Sequence, residues 1–361
     1  MTAGSYSHKY LFDFAKRVMV SLGVSEPDSE SFANVLIAAD LRGIASHGVA
    51  RLSRYVDGIR SGKINPRTHP SVLVSTPAIS VISGENGLGQ VAANFAMEQA
   101  IEKARASGVG LSFVRNSNHF GIAGYYAMKP LSEDMIGVCM TNARPLVVHT
   151  FSRRAVLGTN PISLAAPTGW CYPFVLDMAT SVITSGRVEV YERLSREMPV
   201  GWCVDADGKP AVDPAFVLDT IRSRRQGGLL PLGGDKEELG GHKGYGLAML
   251  VDILSGVLSG AAFGLDVGSP DSPCHNVGHF LAALNIDMIM PIDEFRLRMS
   301  RLIEMLKSSP RQAGAGRIYI HGEKEFDEAQ KRAIEGIPLP EKVVRTLVSI
   351  GESVGVPFEA G

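Results

Sequence analysis

The stretch that decides the fold is G-L-G-Q-V-A, residues 87–92, which matches the G-x-G-x-x-A variant of the dinucleotide-binding fingerprint. It follows an apolar segment, residues 73–83, that reads as strands, and it opens a predicted helix over 89–107. A Rossmann site also needs an acidic residue at the end of the next strand, to bind the ribose hydroxyls. That strand, L-S-F-V-R-N-S-N (111–118), ends without one. We therefore prefer to interpret the two glycines as parts of a tight strand-to-helix turn.

Outside this turn the chain alternates between helical and strand periodicity. Leu11, Phe14 and Val18 recur at the spacing of one helix face, and two further helices are predicted before residue 62. Three late segments also read as helices: 293–308, 323–335 and 341–354. Short apolar strands are predicted at M-I-G-V-C-M-T-N-A, S-L-A-A-P and F-V-L-D-M-A. This order predicts an α/β or α+β class, and we favour α/β, with a mixed sheet and flanking helices.

The composition gives no sign of a nucleic-acid or membrane partner. The 361 residues include 36 Lys and Arg against 37 Asp and Glu, without a basic stripe or an acidic run. One apolar run, residues 244–265, is nearly long enough to span a bilayer. Asp252 lies in its middle, where a charge would cost about 3 kcal/mol in lipid. We predict instead a buried helix in a globular core, in which Gly256, Gly260 and Gly264 permit close packing.

The cysteines and the first residues of the chain bear on its compartment. Four cysteines are present and none belongs to a C-x-x-C pair, so we expect reduced thiols rather than disulfides or a metal site. The opening residues, M-T-A-G-S-Y-S-H-K-Y-L-F-D-F-A-K-R, lack the long apolar core of a secretory signal. A cytoplasmic protein is the expectation.

The segment R-G-I-A-S-H-G-V-A-R-L-S-R-Y, residues 42–55, concentrates groups that suit a small anionic substrate. If the chain turns helical at Gly48, Arg51 lies one turn beyond His47 and can face the same way. Histidine has a pKa near neutrality and can move a proton in both directions. Arginine matches a carboxylate with two parallel hydrogen bonds. The plainer alternative is a solvated helix start with a hydrogen-bonded histidine.

Four further segments place polar side chains beside glycines or strand ends. His119 follows a strand, where a helix N-terminus would attract pyrophosphate, or it caps its own loop. Thr159, in L-G-T-N-P, contacts a ligand or its own turn. Asp177 ends an apolar run, where it accepts ribose hydroxyls or caps the next helix. Lys243, flanked by glycines before the apolar run, suits a phosphate or is simply solvated.

Seven segments together resemble one family in their order and spacing. They are A-D-L-R-G-I-A-S-H-G-V-A-R-L-S-R-Y, G-K-I-N-P, N-S-N-H-F-G, G-T-N-P, V-L-D-M-A-T-S, L-L-P-L-G-G and H-K-G-Y-G-L-A. The pattern resembles the malate/L-lactate dehydrogenase family of the second type. That family also includes ureidoglycolate, sulfolactate and diketogulonate oxidoreductases and cyclic-imine reductases. The resemblance extends from about residue 8 to residue 350 and is specific for the family rather than for one substrate.

This resemblance implies an oxidoreductase that uses NAD or NADP and has the non-Rossmann, sulfolactate dehydrogenase-like cofactor fold. It also implies a homodimer whose active sites are each completed by the partner subunit. His47 would be the proton donor and acceptor with Ser46 beside it, and Arg51 and Thr159 would contact the substrate. His119 is catalytic in some members, which leaves the roles of the two histidines open. The residues implied to lie along the cofactor are His119, Phe120, Gly121, Ile122, Ala123, Asp177, Met178, Ala179, Lys243, Gly244, Gly322 and Glu323.

Two positions depart from the usual pattern of the family. Before K-G-Y-G the family often has an aromatic residue, whereas this chain has His242. Near the C-terminus the family often has P-G-E, whereas this chain has H-G-E at residues 321–323. Both positions adjoin the implied cofactor residues, so the choice between NAD and NADP stays open. We expect one catalytic unit over 8–350, divided into a mainly helical lobe (1–72 plus about 290–361) and a cofactor-binding α/β lobe (73–289).

Three hypotheses on function follow. The first is a 2-hydroxyacid dehydrogenase acting on malate, lactate or a related acid. The second is a reductase of cyclic imino acids, which uses the same scaffold on a C=N bond. The third is a catalytically silent binding protein, against which the intact Ser46, His47, Arg51 and His119 argue.

Overall fold

The structure is a computed structural model that describes residues 2–359. Its helices, in chain order, are α1 His8–Ser21, α2 Glu26–Leu41, α3 Leu52–Arg60, α4 Gly89–Ser107, α5 Ala123–Met128, α6 Ser185–Arg193, α7 Pro214–Arg222, α8 Gly241–Asp252, α9 Ile292–Lys307, α10 Glu323–Glu335 and α11 Glu341–Val354. Its strands are β1 Thr2–Tyr6, β2 Ser71–Ser75, β3 Ile79–Ser83, β4 Val109–Ser117, β5 Met135–Thr141, β6 Val147–Val148, β7 Ala155–Leu157, β8 Ile162–Ala166, β9 Phe174–Met178, β10 Cys203–Val204, β11 Gly228–Leu229, β12 Val277–Asn285 and β13 Ile337–Pro340.

The main sheet has seven strands in the order β2-β3-β4-β12-β5-β8-β9. β3 and β4 run parallel and are connected by α4, whereas the other neighbouring pairs are antiparallel. Helices α4 and α5 share a buried core with this sheet. Gly110 of β4 allows α4 to lie close, since a Cβ there would be 1.9 Å from the carbonyl oxygen of Ala100. The predicted mixed sheet with flanking helices is confirmed.

The turn before α4 is a packing feature of the backbone. A Cβ on Gly89 would lie 2.2 Å from the carbonyl oxygen of Asn118 and 2.6 Å from that of His119. A Cβ on Gly87 would lie 2.6 Å from the hydroxyl of Thr68. Gly89 therefore lets the turn pack against the loop that follows β4, and Gly87 lets it pack against Thr68. This supports the preference for a tight turn over a phosphate-binding one.

Two smaller layers complete the chain. β1 and β13 pair antiparallel, and their residues share a core with α1, α2, α3 and α11. A four-stranded sheet, in the order β10-β11-β6-β7, packs against α6 and α7. The sequence analysis did not predict this second sheet, because most of its strands have only two or three residues and too little alternation to detect.

The predicted helix bounds hold best where capping and periodicity agree. The predicted helices over 89–107, 323–335 and 341–354 match α4, α10 and α11. The helix that follows the His119 loop begins at Ala123 and has only six residues before a 3₁₀ turn follows. Lys243 lies within the first turn of α8 rather than before it.

The prediction of a buried helix over 244–265 was wrong. α8 ends at Asp252 and is followed by a π-helical turn, and several of its apolar side chains are exposed. Gly256 does pack tightly, since a Cβ would lie 2.9 Å from the Asn142 side chain. Gly260 and Gly264 instead adopt positive φ in turns. The spacing of apolar residues in the sequence could not show that this apolar face would be left exposed in a single chain. Among residues 2–359, no helix is long and apolar enough to cross a membrane.

Candidate active site

The turn between α2 and α3 holds the first group of site residues in place. Asp40, at the end of α2, accepts a hydrogen bond from the backbone N–H of Val49 at 2.7 Å. Gly48 lies against this carboxylate so closely that a Cβ would be 1.9 Å from Asp40 Oδ1. Gly43 ends α2 with a φ of 81°. The two glycines that bracket Ser46 and His47 are thus explained by geometry, one by close contact and one by its left-handed backbone.

Ser46, His47 and Arg51 are brought together as predicted. The Ser46 hydroxyl lies 2.8 Å from His47 Nδ1. Arg51 donates from Nε to the carbonyl oxygen of Ser46 at 2.6 Å, and its Nη2 lies 3.5 Å from a carboxylate oxygen of Glu189 in α6. Arg51 therefore stands beside the histidine with its outer nitrogens at the surface of a cavity.

His119, which follows β4, joins the same site across 72 residues of sequence. Its ring stacks on that of His47, with centroids 5.5 Å apart and planes inclined by 18°. Its Nδ1 lies 2.7 Å from the hydroxyl of Tyr55 and 3.4 Å from the backbone N–H of Gly121. Burial raises the pKa of Tyr55 to about 12, so the phenol keeps its proton and donates it. We infer that His119 Nδ1 is an acceptor and that Nε2 carries the ring proton.

Both histidines are neutral at pH 7 in this site. Burial, followed by the charges of Arg51 and Arg54, lowers the pKa of His47 to about 4. Burial also lowers the pKa of His119, and Arg54 and then His47 contribute the largest charge effects. This differs from the near-neutral value that the sequence suggested, because burial, the largest cause of the shift, is not visible in one segment.

A third histidine, His279, packs against Phe120 in the loop that carries His119. His279 of β12 is fully buried and stacks on Phe120, with centroids 4.5 Å apart. Its two nitrogens lie 2.7 Å from the hydroxyls of Thr141 and Ser117. Thr141 donates to backbone carbonyls, so its oxygen accepts from His279 Nδ1. Burial lowers the pKa of His279 to about 3, which makes it a neutral part of the core.

Two further arginines, Arg54 and Arg144, add positive charge near Arg51. Arg54 and Arg144 have no ion pair and no side-chain hydrogen bond within residues 2–359. Burial, and then the charges of Arg54 and Arg224, lower the pKa of Arg144. At Gly268, a Cβ would lie 3.1 Å from His275 Nδ1 and 4.0 Å from Arg144 Cβ, so these groups converge. Uncompensated cations in one cleft favour an anionic ligand.

The loop that carries His119 leads to a second group of predicted residues. Asp177, in β9, accepts a hydrogen bond from the backbone N–H of Gly124 at 2.8 Å. Asp177 is exposed to this cleft on one side, while protein atoms around the rest of its carboxylate displace water. This desolvation raises the pKa of Asp177 to about 6, against the opposing effects of Gly124 and Arg42. The hydrogen bond between Gly124 and Asp177 connects the loop that begins at His119 with this cleft. Met178 ends β9 and Ala179 follows it, and neither is among the residues that line the cleft.

The cleft beside Asp177 has a volume of about 230 Å³ and is lined by Arg42, Gly322 and Lys324 among others. Gly322 has a φ of 92°, and a Cβ there would lie 3.0 Å from Val175. The glycine therefore permits both the left-handed backbone and the close packing of this turn against Val175. Glu323 is different, because its buried carboxylate is held by Lys307 at 2.7 Å and by the backbone N–H of Ile320 at 3.0 Å. Glu323 orders this segment through these contacts.

Thr159 and Lys243 are not joined to either group by a contact. Thr159 is half-buried, and its carbonyl oxygen accepts a hydrogen bond from the Thr180 N–H at 2.9 Å. Its neighbour Asn160 is fully buried and donates to the carbonyl oxygen of Ala248. Lys243 is exposed and its side chain makes no hydrogen bond within residues 2–359. Gly244 packs on Leu232, whose carbonyl oxygen would be 2.1 Å from a Cβ.

Three residues of the site were missed by the sequence analysis. Tyr55 lies one helical turn after Arg51, so its spacing was a usable signal for the partner of a site residue. Arg42 opens the quoted segment but gave no sign that it would face Asp177. Glu189 comes from α6, and no local pattern connects it with Arg51.

The chemistry that this arrangement supports is the interconversion of a hydroxyl and a carbonyl group. Such a reaction moves a proton at oxygen and a hydride at carbon, and it needs cations to hold an acidic substrate. A neutral histidine beside Arg51 provides the proton acceptor and the cation, and the adjoining cleft has space for part of a cofactor. The fold and the site thus define a dehydrogenase of small acids.

Comparison with known proteins agrees with this class. A family model described as malate/L-lactate dehydrogenase matches residues 6–348. The chain is 49% identical over 348 residues to a malate dehydrogenase of Pyrococcus abyssi, covering 96% of this chain and 94% of that relative. It is 37% identical to an L-sulfolactate dehydrogenase of Methanothermobacter thermautotrophicus, covering 95% of each. A crystal structure of malate dehydrogenase from Entamoeba histolytica superposes with a TM-score of 0.96, at 36% identity and 99% coverage of each chain.

The chain belongs to the malate/L-lactate dehydrogenase family, as its motifs predicted. It is an oxidoreductase that transfers a hydride between a nicotinamide cofactor and a small 2-hydroxy or 2-oxo acid. The expected extent of the resemblance, from about residue 8 to residue 350, is confirmed.

Proposed function

We propose that the substrate is a 2-hydroxy acid with a second anionic group, as in malate and its 2-oxo product oxaloacetate. The observation that carries this proposal concerns two arginines without an acidic partner within residues 2–359: Arg54, whose charge acts on both histidines, and Arg144, whose charge interacts with those of Arg51 and Arg54. Arg51 serves the carboxylate next to the reacting carbon, and these two arginines attract the second anion. The malate and sulfolactate dehydrogenases among the relatives, named for substrates with two acidic groups, support this reading.

In this proposal His47 exchanges the proton at the substrate oxygen. It uses the ring nitrogen opposite Ser46, because Nδ1 is occupied by the Ser46 hydroxyl at 2.8 Å. The neutral ring accepts a proton when the hydroxy acid is oxidised. In the reverse direction the bound anion raises the pKa of His47 and favours the protonated ring. Thr159 adds a substrate contact, and Ser46 and His119 complete the polar surroundings.

The cofactor is NAD or NADP, and when bound it supplies or takes the hydride at the substrate carbon. The residues that would hold it are the loop His119–Ala123, the segment Asp177–Ala179, Lys243-Gly244 and Gly322-Glu323. Asp177 and Gly322 line the same cleft. The cleft is smaller than a usual small-molecule site, so it accounts for only part of a dinucleotide. Residues 73–289 are the proposed cofactor-binding lobe.

We further propose a homodimer with shared active sites, in the cytoplasm. Support comes from the apolar surface of α8 and the following turn, where Met249, Ile253, Val257 and Leu258 are 45% exposed or more. A second copy of the chain would cover this surface. The four cysteines are free thiols, which supports a reducing compartment.

The direct test is a matrix of substrates against both cofactors. Oxaloacetate, pyruvate and a cyclic imino acid are reduced with NADH and with NADPH, and kcat/KM is measured for each pair. We expect oxaloacetate to give the highest value. A preference for pyruvate would argue against a binding site for a second anion. Turnover of the imine alone would favour the imino-acid reductase. Cofactor binding without turnover of any acid would favour the silent binding protein.

A further inference from the structure

Arg51, the arginine proposed to bind the substrate carboxylate, has a carboxylate partner in its own chain, Glu189. Arg51 Nη2 lies 3.5 Å from Glu189 Oε2, and the Nε of the same guanidinium is held by the Ser46 carbonyl oxygen at 2.6 Å. The side chains of Arg51 and Glu189 are 29% and 35% exposed. An ion pair with this much exposure contributes little stability and exchanges readily with other anions.

Helix α6 brings Glu189 to this position. Near the start of α6, a Cβ on Gly186 would lie 3.2 Å from the Ser46 Cβ and 3.5 Å from Arg51 Nη2. The helix therefore rests directly on the predicted substrate residues. A cavity of about 400 Å³ lies alongside and is lined by Ser46, Arg51 and Glu189 among others. An incoming acid thus has space beside the pair.

We propose that Glu189 stands in for the substrate carboxylate on Arg51 and sets the affinity of the site for its acid. The inference rests on the proposed role of Arg51 as the carboxylate-binding residue. A substrate carboxylate has the same charge and the same two acceptor oxygens as the glutamate, so the two compete for one guanidinium. Binding of the acid releases Glu189 into the cavity, and the displaced negative charge then lies close to the substrate. Both effects weaken binding of the substrate without touching the reacting atoms.

The test is Glu189→Gln, assayed with the 2-oxo acid that is turned over best. We expect KM to fall roughly two- to fivefold, the range that corresponds to a partly exposed ion pair. The values of kcat and of KM for the cofactor should remain within twofold of the parent enzyme. The dissociation constant of oxalate, measured with cofactor present, should fall by the same factor as KM. This second readout does not depend on turnover.

The matched control is Glu192→Gln, on the same helix and the same cavity but without a contact to Arg51. Its KM should be unchanged, and Glu189→Gln should have no effect when Arg51 is already alanine. An unchanged or raised KM in Glu189→Gln overturns the inference, as does an equal fall in both glutamine variants. If Arg51→Ala also leaves KM unchanged, the proposed role of Arg51 fails as well. If Arg51→Ala raises KM, only the role of Glu189 fails.

Discussion

His47 and His119 lie against each other, and a positive charge on one ring opposes a positive charge on the other. Their centroids are 5.5 Å apart, and the charges of Arg51 and Arg54 already oppose protonation of either ring. The hydrogen bonds separate their roles. Nδ1 of His119 is an acceptor for Tyr55, which fixes its orientation, whereas His47 has only the mobile hydroxyl of Ser46. We assign the proton exchange to His47 and an orienting role to His119.

The first prediction compares the two histidine-to-alanine variants. General acid–base catalysis commonly contributes about 10²- to 10⁴-fold in rate, so His47→Ala should lower kcat by about that factor. Its dissociation constant for the cofactor should change little. His119→Ala should raise the cofactor KM more than it lowers kcat. Steady-state kinetics and fluorescence titration of NADH measure both. If His119→Ala abolishes turnover while His47→Ala retains it, the two roles are exchanged.

The second prediction concerns pH. Oxidation of the hydroxy acid requires neutral His47, and its pKa in the free enzyme is about 4. As the pH is lowered from 7, kcat/KM for oxidation should therefore stay constant at first. It should then fall as the pH drops through about 4. A sample held at low pH and assayed at pH 7 controls for unfolding. An acidic limb near pH 6.5, the ordinary histidine value, would show that burial and the arginines do not act as described.

The third prediction concerns the second anion. Arg54→Gln removes a cation that has no acidic partner within residues 2–359, and hydrogen bonds to charged groups contribute about 1.5–3 kcal/mol. KM for oxaloacetate should rise about tenfold or more, whereas KM for pyruvate, which lacks the second carboxylate, should change much less. Equal changes for both acids would place Arg54 at the first carboxylate instead.

At the scale of elements, the sequence predicts helices well and their surroundings poorly. α4, α10 and α11 were recognised with their observed bounds because apolar spacing, glycines and proline mark their ends locally. The turn before α4 was recognised as structural because the following strand, residues 111–118, does not end in an acidic residue. The contact that explains it, Gly89 against the backbone of Asn118, joins residues 29 positions apart. Tertiary contacts of this kind leave no local pattern.

The fourth prediction tests this contact with Gly89→Ala. The new Cβ would overlap the carbonyl oxygens of Asn118 and His119, so the free energy of unfolding should fall by about 1–3 kcal/mol. Displacement of the loop should also raise the cofactor KM. The control is Gly246→Ala, in α8, where a Cβ meets nothing within 4 Å and alanine should be neutral or stabilising. Chemical denaturation measures both. A harmless Gly89→Ala would contradict the close packing of the turn.

At the scale of the whole molecule, the site is assembled from four separate parts of the chain. His47 lies between α2 and α3, His119 follows β4, Asp177 lies in β9 and Gly322 precedes α10. The resemblance to the family predicted that these residues belong to one site. The spacing of residues in the sequence alone connected only His47 with Arg51. The exposed face of α8 was misjudged for a related reason, because burial depends on what covers a surface, including a second chain.

The last prediction tests that covering. Leu258 is 59% exposed at the end of the apolar run, and Leu258→Asp places a charge where a second copy would pack. An isolated chain should tolerate this change, since the residue already faces solvent, but a dimer should dissociate. Sedimentation velocity should show the monomer increasing, and activity should fall with it if the active sites are shared. Leu297→Asp, 71% exposed on α9, is the matched control and should remain dimeric and active. If only Leu297→Asp dissociates, the interface lies on α9. If a variant dissociates into monomers that keep full activity, the active sites are not shared.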